Sequence, residues 1–217
     1  GVPLVDVLEL AGPAESAEQV MAWSVDSFSA GFPLSALGGD RTALVAFGMN
    51  GEPLPFRHGF PVRLVVAGLY GYVSAVKWLE RIELTTMDVD GYWIPRGWAK
   101  EAPIKIASRI DVPLQSQTTP GGQAVAGVAW APVVGVAEVE LAIDDGPWTP
   151  CRLERGTGPG RDGEAWVQWF TLWDAEPGLH HLRVRAWDRN GVLQPPGPKH
   201  IAPDGAEGYH SRRVLVA

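Results

Sequence analysis

Two stretches in the second half of the chain alternate apolar and polar residues with a period of two, a pattern that suits strands and not helices. In residues 138–143, Val139, Leu141 and Ile143 fall on one side and Glu138 and Glu140 on the other. In residues 181–186, Leu182, Val184 and Ala186 alternate with His181, Arg183 and Arg185. Asp144-Asp145-Gly146 and Asn190-Gly191 follow these runs with hairpin-turn chemistry. Gln123–Trp130, Trp166–Trp173 and Arg213–Ala217 read as further strands. Short strands separated by turn residues predict an all-β, immunoglobulin-like sandwich. The 26 glycines and 19 prolines fit turns better than long helices, and ten tryptophans suit the space between two sheets.

The first half is mixed. Pro3 to Gly12 reads as a short helix, with Pro3 at its first position and Leu4, Val7 and Leu8 on one face. Gly12-Pro13 stops it. Val20–Ser24 reads as a strand, Pro33–Leu37 as a second short helix and Ala43–Phe47 as a buried strand. Asn50-Gly51 is a turn, and Val62–Val66 and Val76–Leu84 are strands, with Lys77 opening the second. The expected organisation is a partial α+β domain over residues 1–110 and a sandwich over 111–217, with the boundary near Ile110–Pro113.

Charge and motifs remove several function classes. The net charge is −7 and no Lys/Arg run occurs, which argues against a nucleic-acid surface. No apolar run reaches the length of a membrane span, and residues 1–20 lack a signal-peptide pattern. The chain starts at Gly1 without Met and is expected to be a fragment of a longer polypeptide. The single Cys151 excludes an internal disulfide and a Cys-rich metal site, and reads as a small, half-buried apolar residue. Gly156-x-Gly158-x-Gly160 lacks the strand-turn-helix context of a dinucleotide loop and reads as a long hairpin loop. The five histidines lack metal-ligand spacing; adjacent His180 and His181 point to opposite strand faces. No residue is assigned as a metal ligand.

Residues 50–79 stand apart, placing His58, Arg63 and Lys77 among Gly59, Gly68 and Gly71. Three cationic or N–H-donating side chains beside glycine-bent backbone suit an anionic, hydrogen-bonding ligand such as a phosphate or pterin. Taken singly, each reads more readily as a surface charge than as a ligand contact.

The segment Met49-Asn50-Gly51-Glu52-Pro53-Leu54-Pro55, then His58-Gly59-Phe60-Pro61-Val62-Arg63, Gly68-Leu69-Tyr70-Gly71 and Lys77-Trp78-Leu79, resembles the molybdopterin domain of the sulfite oxidase family. Ile110-Asp111-Val112-Pro113, Ala126-Gly127-Val128-Ala129-Trp130 and residues 139–148 resemble that family's dimerisation domain. The resemblance implies that His58, Arg63 and Lys77 contact the pyranopterin and its phosphate. It places Ser74 in the matching backbone loop and Asp26 near the cofactor. It implies the molybdenum cofactor in an intact parent and a homodimer through 111–217, with the redox partner unknown. It also implies a parent that is extracytoplasmic or membrane-associated, as its bacterial relatives often are. The family's molybdenum-ligating cysteine is expected upstream of this chain, so the fragment alone is expected to be inactive and without the cofactor. Trp98 aligns where sulfite oxidases carry an active-site Tyr. Its indole N–H only donates, which argues against sulfite as substrate; Trp98 reads equally as a residue packed at a domain edge. Arg96 is a candidate for the entrance of an anionic substrate, and with Trp98 forms the candidate catalytic pair. Two other classes stay open: a non-catalytic interaction or dimerisation module, and a sugar-binding sandwich.

Overall fold

The computed structural model describes residues 1–39, 41–154 and 165–217. Strand is the dominant element. The chain divides into two compact units, residues 1–104 with 202–205, and residues 105–201 with 206–217. The division falls before the expected boundary at 110/111, which lies inside a strand, Ala107–Val112. In that strand Ile110 and Ser108 both point inward, at 0% and 7% exposure. The buried Ser108 hydroxyl donates to Gln194 Oε1 at 2.6 Å. A polar residue on the inner face breaks the apolar alternation by which a strand is recognised, and the hydrogen bond makes its burial tolerable.

The first unit opens with β1 (Val2–Pro3) and α1 (Leu4–Ala11), whose Leu4 and Leu8 are buried one turn apart. Gly12 ends the helix in the left-handed conformation, its N–H bonded to Glu9 O at 3.2 Å. The following strands are β2 (Gln19–Ser24), β3 (Ser29–Pro33), β4 (Ala43–Ala46), β5 (Gly48–Met49), β6 (Glu52–Pro53) and β7 (Arg63–Val66). A single helical turn, α2 (Gly71–Ser74), precedes β8 (Leu79–Thr85). Single 3-10 turns lie at Leu34–Leu37, Phe56–His58 and Ile94–Arg96. One sheet has the order β1-β4-β7 and another β3-β2-β8; β5 and β6 form a hairpin across Asn50 and Gly51, both at positive φ. Leu4, Val20, Phe32, Leu64, Val73 and Val76, among others, share one core. The strand expected over Val76–Leu84 begins only at Leu79, because Trp78 adopts φ +48° and breaks the extended run. Lys77 therefore precedes the strand and does not open it. β3 was not expected: Pro33 was read as the start of a short helix, yet Ser29 to Pro33 pairs along β2.

The second unit contains β9 (Ala107–Val112), β10 (Gln117–Thr118), β11 (Gly121–Trp130), β12 (Val136–Ile143), β13 (Thr149–Pro150), β14 (Arg152–Glu154), β15 (Val167–Ala175), β16 (Gly178–Asp188) and β17 (His210–Val216). They form a five-stranded sheet, β10-β17-β16-β12-β13, and a four-stranded sheet, β14-β15-β11-β9. Both contribute inward residues to one core: Val125, Trp169 and Trp173 from the four-stranded sheet, Val139, Leu141, Leu182, Val184 and Val214 from the other. In β16 the alternation seen in the sequence is the alternation of burial, since Leu182, Val184 and Ala186 are all at 0% exposure; in β12 it holds for Val139 and Leu141 and lapses at Ala142, which is fully buried beside a half-buried Ile143. Cys151 is half-buried and packs against this core. The Gly156–Gly160 loop lies outside the described residues.

Candidate functional site

The candidate site lies in the first unit. Its centre is Gly59, at φ +106° just after the 3-10 turn 56–58. A Cβ at Gly59 would sit 3.0 Å from Lys77 Cβ and 3.1 Å from Arg63 Cβ. Only a residue without a side chain lets the 58–59 backbone approach both cations this closely. Arg63 Nη1 donates to the His58 carbonyl at 3.2 Å, and Lys77 Nζ donates to the Arg57 carbonyl at 3.2 Å. Backbone bonds tie the two segments together: Leu64 N donates to Val76 O at 2.8 Å, and Leu79 N to Val62 O at 2.9 Å. The structure thus brings His58, Arg63 and Lys77 to one place, although up to 19 positions separate them in sequence.

Burial lowers the Arg63 guanidinium from its ordinary value. Its Nε is buried and has no hydrogen-bond partner among the described residues. A buried cationic donor without an acceptor is unfavourable unless a ligand supplies one. Arg63 and Lys77 are donors only and the His58 ring can donate, a set that matches phosphate and pterin oxygens. The residues present therefore fit a phosphorylated pterin.

A cleft of 460 Å³ borders Lys77 and is lined by Ser24, Asp26, Phe28, Tyr72, Trp78 and Trp93, among others. Asp26 is exposed, and its Oδ1 accepts the Phe28 N–H at 3.2 Å. The Ser24 hydroxyl, the Phe28 amide and, more weakly, the Lys77 charge hold this carboxylate below its usual value. Asp26 and Lys77 thus line one cleft.

The remaining expected residues are placed differently. Ser74 is 1% exposed, and its hydroxyl donates to the Tyr70 carbonyl at 3.1 Å, with Leu69 O at 3.4 Å. This side chain serves its own helical turn and does not line the cleft. Arg96 is exposed; its Nη1 donates to Tyr92 O and its guanidinium lies 3.7 Å from the Tyr92 ring centroid. Trp98 packs against Tyr72, with centroids 4.7 Å apart, and against Trp93 at 6.0 Å. It reaches the cleft only through these two rings. Tyr72, Trp78 and Trp93 line the cleft without being signalled by the sequence, because spacing says nothing about which aromatic rings converge.

Nitrogen donors on glycine-bent backbone, beside an aromatic cleft, are features that suit an anionic organic ligand. Residues 1–93 match the family model described as the oxidoreductase molybdopterin binding domain. The chain is thus similar to the sulfite oxidase family of molybdopterin oxidoreductases. It is 30% identical to human mitochondrial sulfite oxidase over 226 residues, covering 90% of this chain and 41% of the human protein. It is also 30% identical to NADH nitrate reductase 1 of Oryza sativa over 197 residues, covering 74% of this chain and 21% of that protein. The chain therefore spans well under half the length of these relatives. The sulfane dehydrogenase SoxCD of Paracoccus pantotrophus has the same fold, with a TM-score of 0.74 at 23% identity over all of this chain and 61% of that one.

Proposed function

We propose that this chain supplies the His58–Arg63–Lys77 wall of a molybdopterin site in an intact oxidoreductase that transfers an oxygen atom together with two electrons. The carrying observation is the buried, unpartnered Arg63 Nε, held beside Lys77 by the Gly59 approach. When bound, the cofactor supplies the redox and oxygen-transfer chemistry, and the protein positions it. Arg63 and Lys77 bind the phosphate by charge-assisted hydrogen bonds, and His58 donates to the pterin edge. Asp26 holds negative charge across the cleft and orients donors of the bound group. Ser74 acts indirectly in this reading, locking the turn that precedes Lys77. Arg96 and Trp98 stand further out, at the aromatic rim, where Arg96 meets an incoming anion and Trp98 shapes the entrance. Trp98 carries no phenolic hydroxyl, so the reading names no sulfite chemistry. Cys151, the one thiol of the sequence, lies in the second unit and takes no part in holding the metal.

The test is Arg63→Ala in the intact protein, made in a host that synthesises the cofactor. Molybdopterin content should fall about tenfold or more, in line with the loss of a charged hydrogen-bonding group. Molybdenum and pterin contents equal to wild type would remove Arg63 from the site.

The second unit is read as the immunoglobulin-like dimerisation module, spanning 111–217 with β9 added at its start. Two facing sheets around one core support the sandwich class. Val112 and Leu172, at 41% and 77% exposure, stand on the four-stranded sheet together with Ala124 and Ala126. These apolar side chains, beside the exposed Arg109, Arg152 and Asp174 of the same face, support a homodimer contact. An extracytoplasmic or membrane-associated parent is part of the same reading and rests on family resemblance alone; cell fractionation tests it. No helix among the described residues is long and apolar enough to cross a membrane.

A further inference from the structure

Trp78 has a backbone conformation that its own chemistry disfavours. Its φ is +48°, in the left-handed region where a bulky side chain is an outlier. Such a residue persists only where its surroundings over-determine it, and such sites concentrate at ligand clamps. Every polar group of Trp78 that bonds outside its own segment reaches a segment carrying a site residue. Its carbonyl accepts the N–H of Val25, next to Asp26, at 3.1 Å. Its indole Nε1 donates to the carbonyl of Phe56, in the turn that carries His58, at 2.9 Å. Its ring packs against Phe56 with centroids 5.7 Å apart. The ammonium of Lys77 lies 4.6 Å from the centroid of the same ring.

These contacts account for the position of Lys77 better than the lysine stem does. A free lysine side chain has several accessible rotamers, and an ammonium over an indole face loses most of them. Lys77 Nζ then has one wall in the Trp78 ring and one acceptor in Arg57 O. The indole N–H and the Lys77 ammonium bond to the carbonyls of Phe56 and Arg57, consecutive residues of one turn. The turn and the 77–78 segment are therefore clamped as a unit, with the Gly59 contact directly beyond.

We propose that Trp78 is the positioning residue of the anion site: its left-handed backbone and fixed indole hold Lys77 and the His58 turn in the geometry that receives a phosphate-bearing ligand. The proposal rests on the pterin reading for the identity of that ligand, but not for the position of Lys77. It assigns Trp78 no contact with the reacting atoms.

Two variants separate backbone from ring. Trp78→Gly keeps the positive φ at no steric cost and removes the indole. Trp78→Phe keeps an aromatic face for Lys77 and removes the N–H donor. Two quantities are read in the intact protein: pterin per polypeptide, assayed as its fluorescent oxidised derivative, and the lysine methyl spectrum of cofactor-free protein after reductive ¹³C-methylation. The Lys77 resonance is assigned by its loss in Lys77→Arg.

In wild type, the Lys77 methyl signal should be displaced upfield by the indole ring current. Trp78→Gly should return it to the position of exposed lysines and lower pterin content about tenfold, the combined loss of a cation–π contact and a hydrogen bond. Trp78→Phe should keep a smaller displacement and an intermediate pterin content, with an unchanged melting temperature. A Trp78→Gly protein with wild-type pterin content, or a wild-type Lys77 signal without displacement, would overturn the proposal. If Trp78→Gly does not fold, the Trp78→Phe protein decides: equal loss of pterin and displacement there sustains the clamp, and loss of neither refutes it. Wild-type protein isolated without pterin would defeat the functional reading, while the Lys77 displacement would still decide the positioning role.

Discussion

Cys151 and His180 show at the scale of single residues how surroundings set reactivity. Removal from water pushes the Cys151 thiol up to about 12, with Glu140 and Glu138 adding to the effect. The thiolate is the reactive form, so at neutral pH this cysteine should be inert. Alkylation of the native chain by iodoacetamide at pH 7.5 should be at least about tenfold slower than that of the urea-unfolded chain; equal rates would contradict the burial. His180 is the opposite case. Its Nδ1 lies 2.8 Å from Asp144 Oδ2 and its Nε2 lies 2.8 Å from the Glu176 carbonyl. Both ring nitrogens face acceptors, an arrangement a neutral imidazole cannot satisfy. The Asp144 bond, then the Glu176 carbonyl, raise the pKa of His180 above 6.5. Asp144 is lowered below 3.8, chiefly by the His181 amide. The His180 contribution to stability is complete below pH 6.5 and fades as pH rises through the raised folded value. The Asp144 contribution is complete above pH 3.8 and fades as pH falls through the lowered one. Stability traced to this pair should thus decline from mildly acidic to alkaline pH. His180→Gln should flatten that decline in urea titrations; an unchanged slope would show that the pair does not act.

At the scale of elements, β9 and β11 depend on one glycine. Gly127 pairs with Ile110 where the β9–β11 register shifts, and a Cβ there would lie 1.8 Å from Arg109 O and 3.0 Å from Trp169 Cζ2. Gly127→Ala must push β9 off the sheet or displace the largest buried side chain of the core. We expect a loss of at least about 2 kcal/mol in chemical denaturation, typical of forced overpacking. The long strands β12 and β16 were legible because each carries a run of apolar residues at every second position, Val139, Leu141 and Ile143 in one and Leu182, Val184 and Ala186 in the other. β9 was not legible, because Ser108 interrupts its apolar face and is satisfied by Gln194, a residue 86 positions away. The early end of the strand expected from Val76 has the same kind of cause. Nothing in Lys77-Trp78-Leu79 announces a left-handed tryptophan; the bonds to Val25 and Phe56 impose it.

For the molecule as a whole, the two units test separately. The homodimer proposed through 111–217 predicts a light-scattering mass twice that of the chain. Leu172→Lys should shift it toward monomer, since a charge would replace an exposed apolar side chain on the outer face of the four-stranded sheet. A strictly monomeric chain and parent would dismiss the dimer role. The tryptophans divide by unit as well. Trp169 and Trp173 fill the space between sheets at 1% and 7% exposure, whereas Trp78, Trp93 and Trp98 cluster around the cleft.

What the residues alone determined was the class of each half: period-two alternation set the strands of the second unit, and the block from Met49 to Leu79 carried the resemblance to a molybdopterin domain. Both signals are local, and local patterns survive without knowledge of neighbours. Only the tertiary structure decided that Arg63 and Lys77 meet at Gly59, that Ser74 turns back to its own helix, and that Trp98 touches the cleft through two other rings. Those outcomes depend on which distant backbone groups accept a hydrogen bond and which atoms fill a given space, and chain order encodes neither directly.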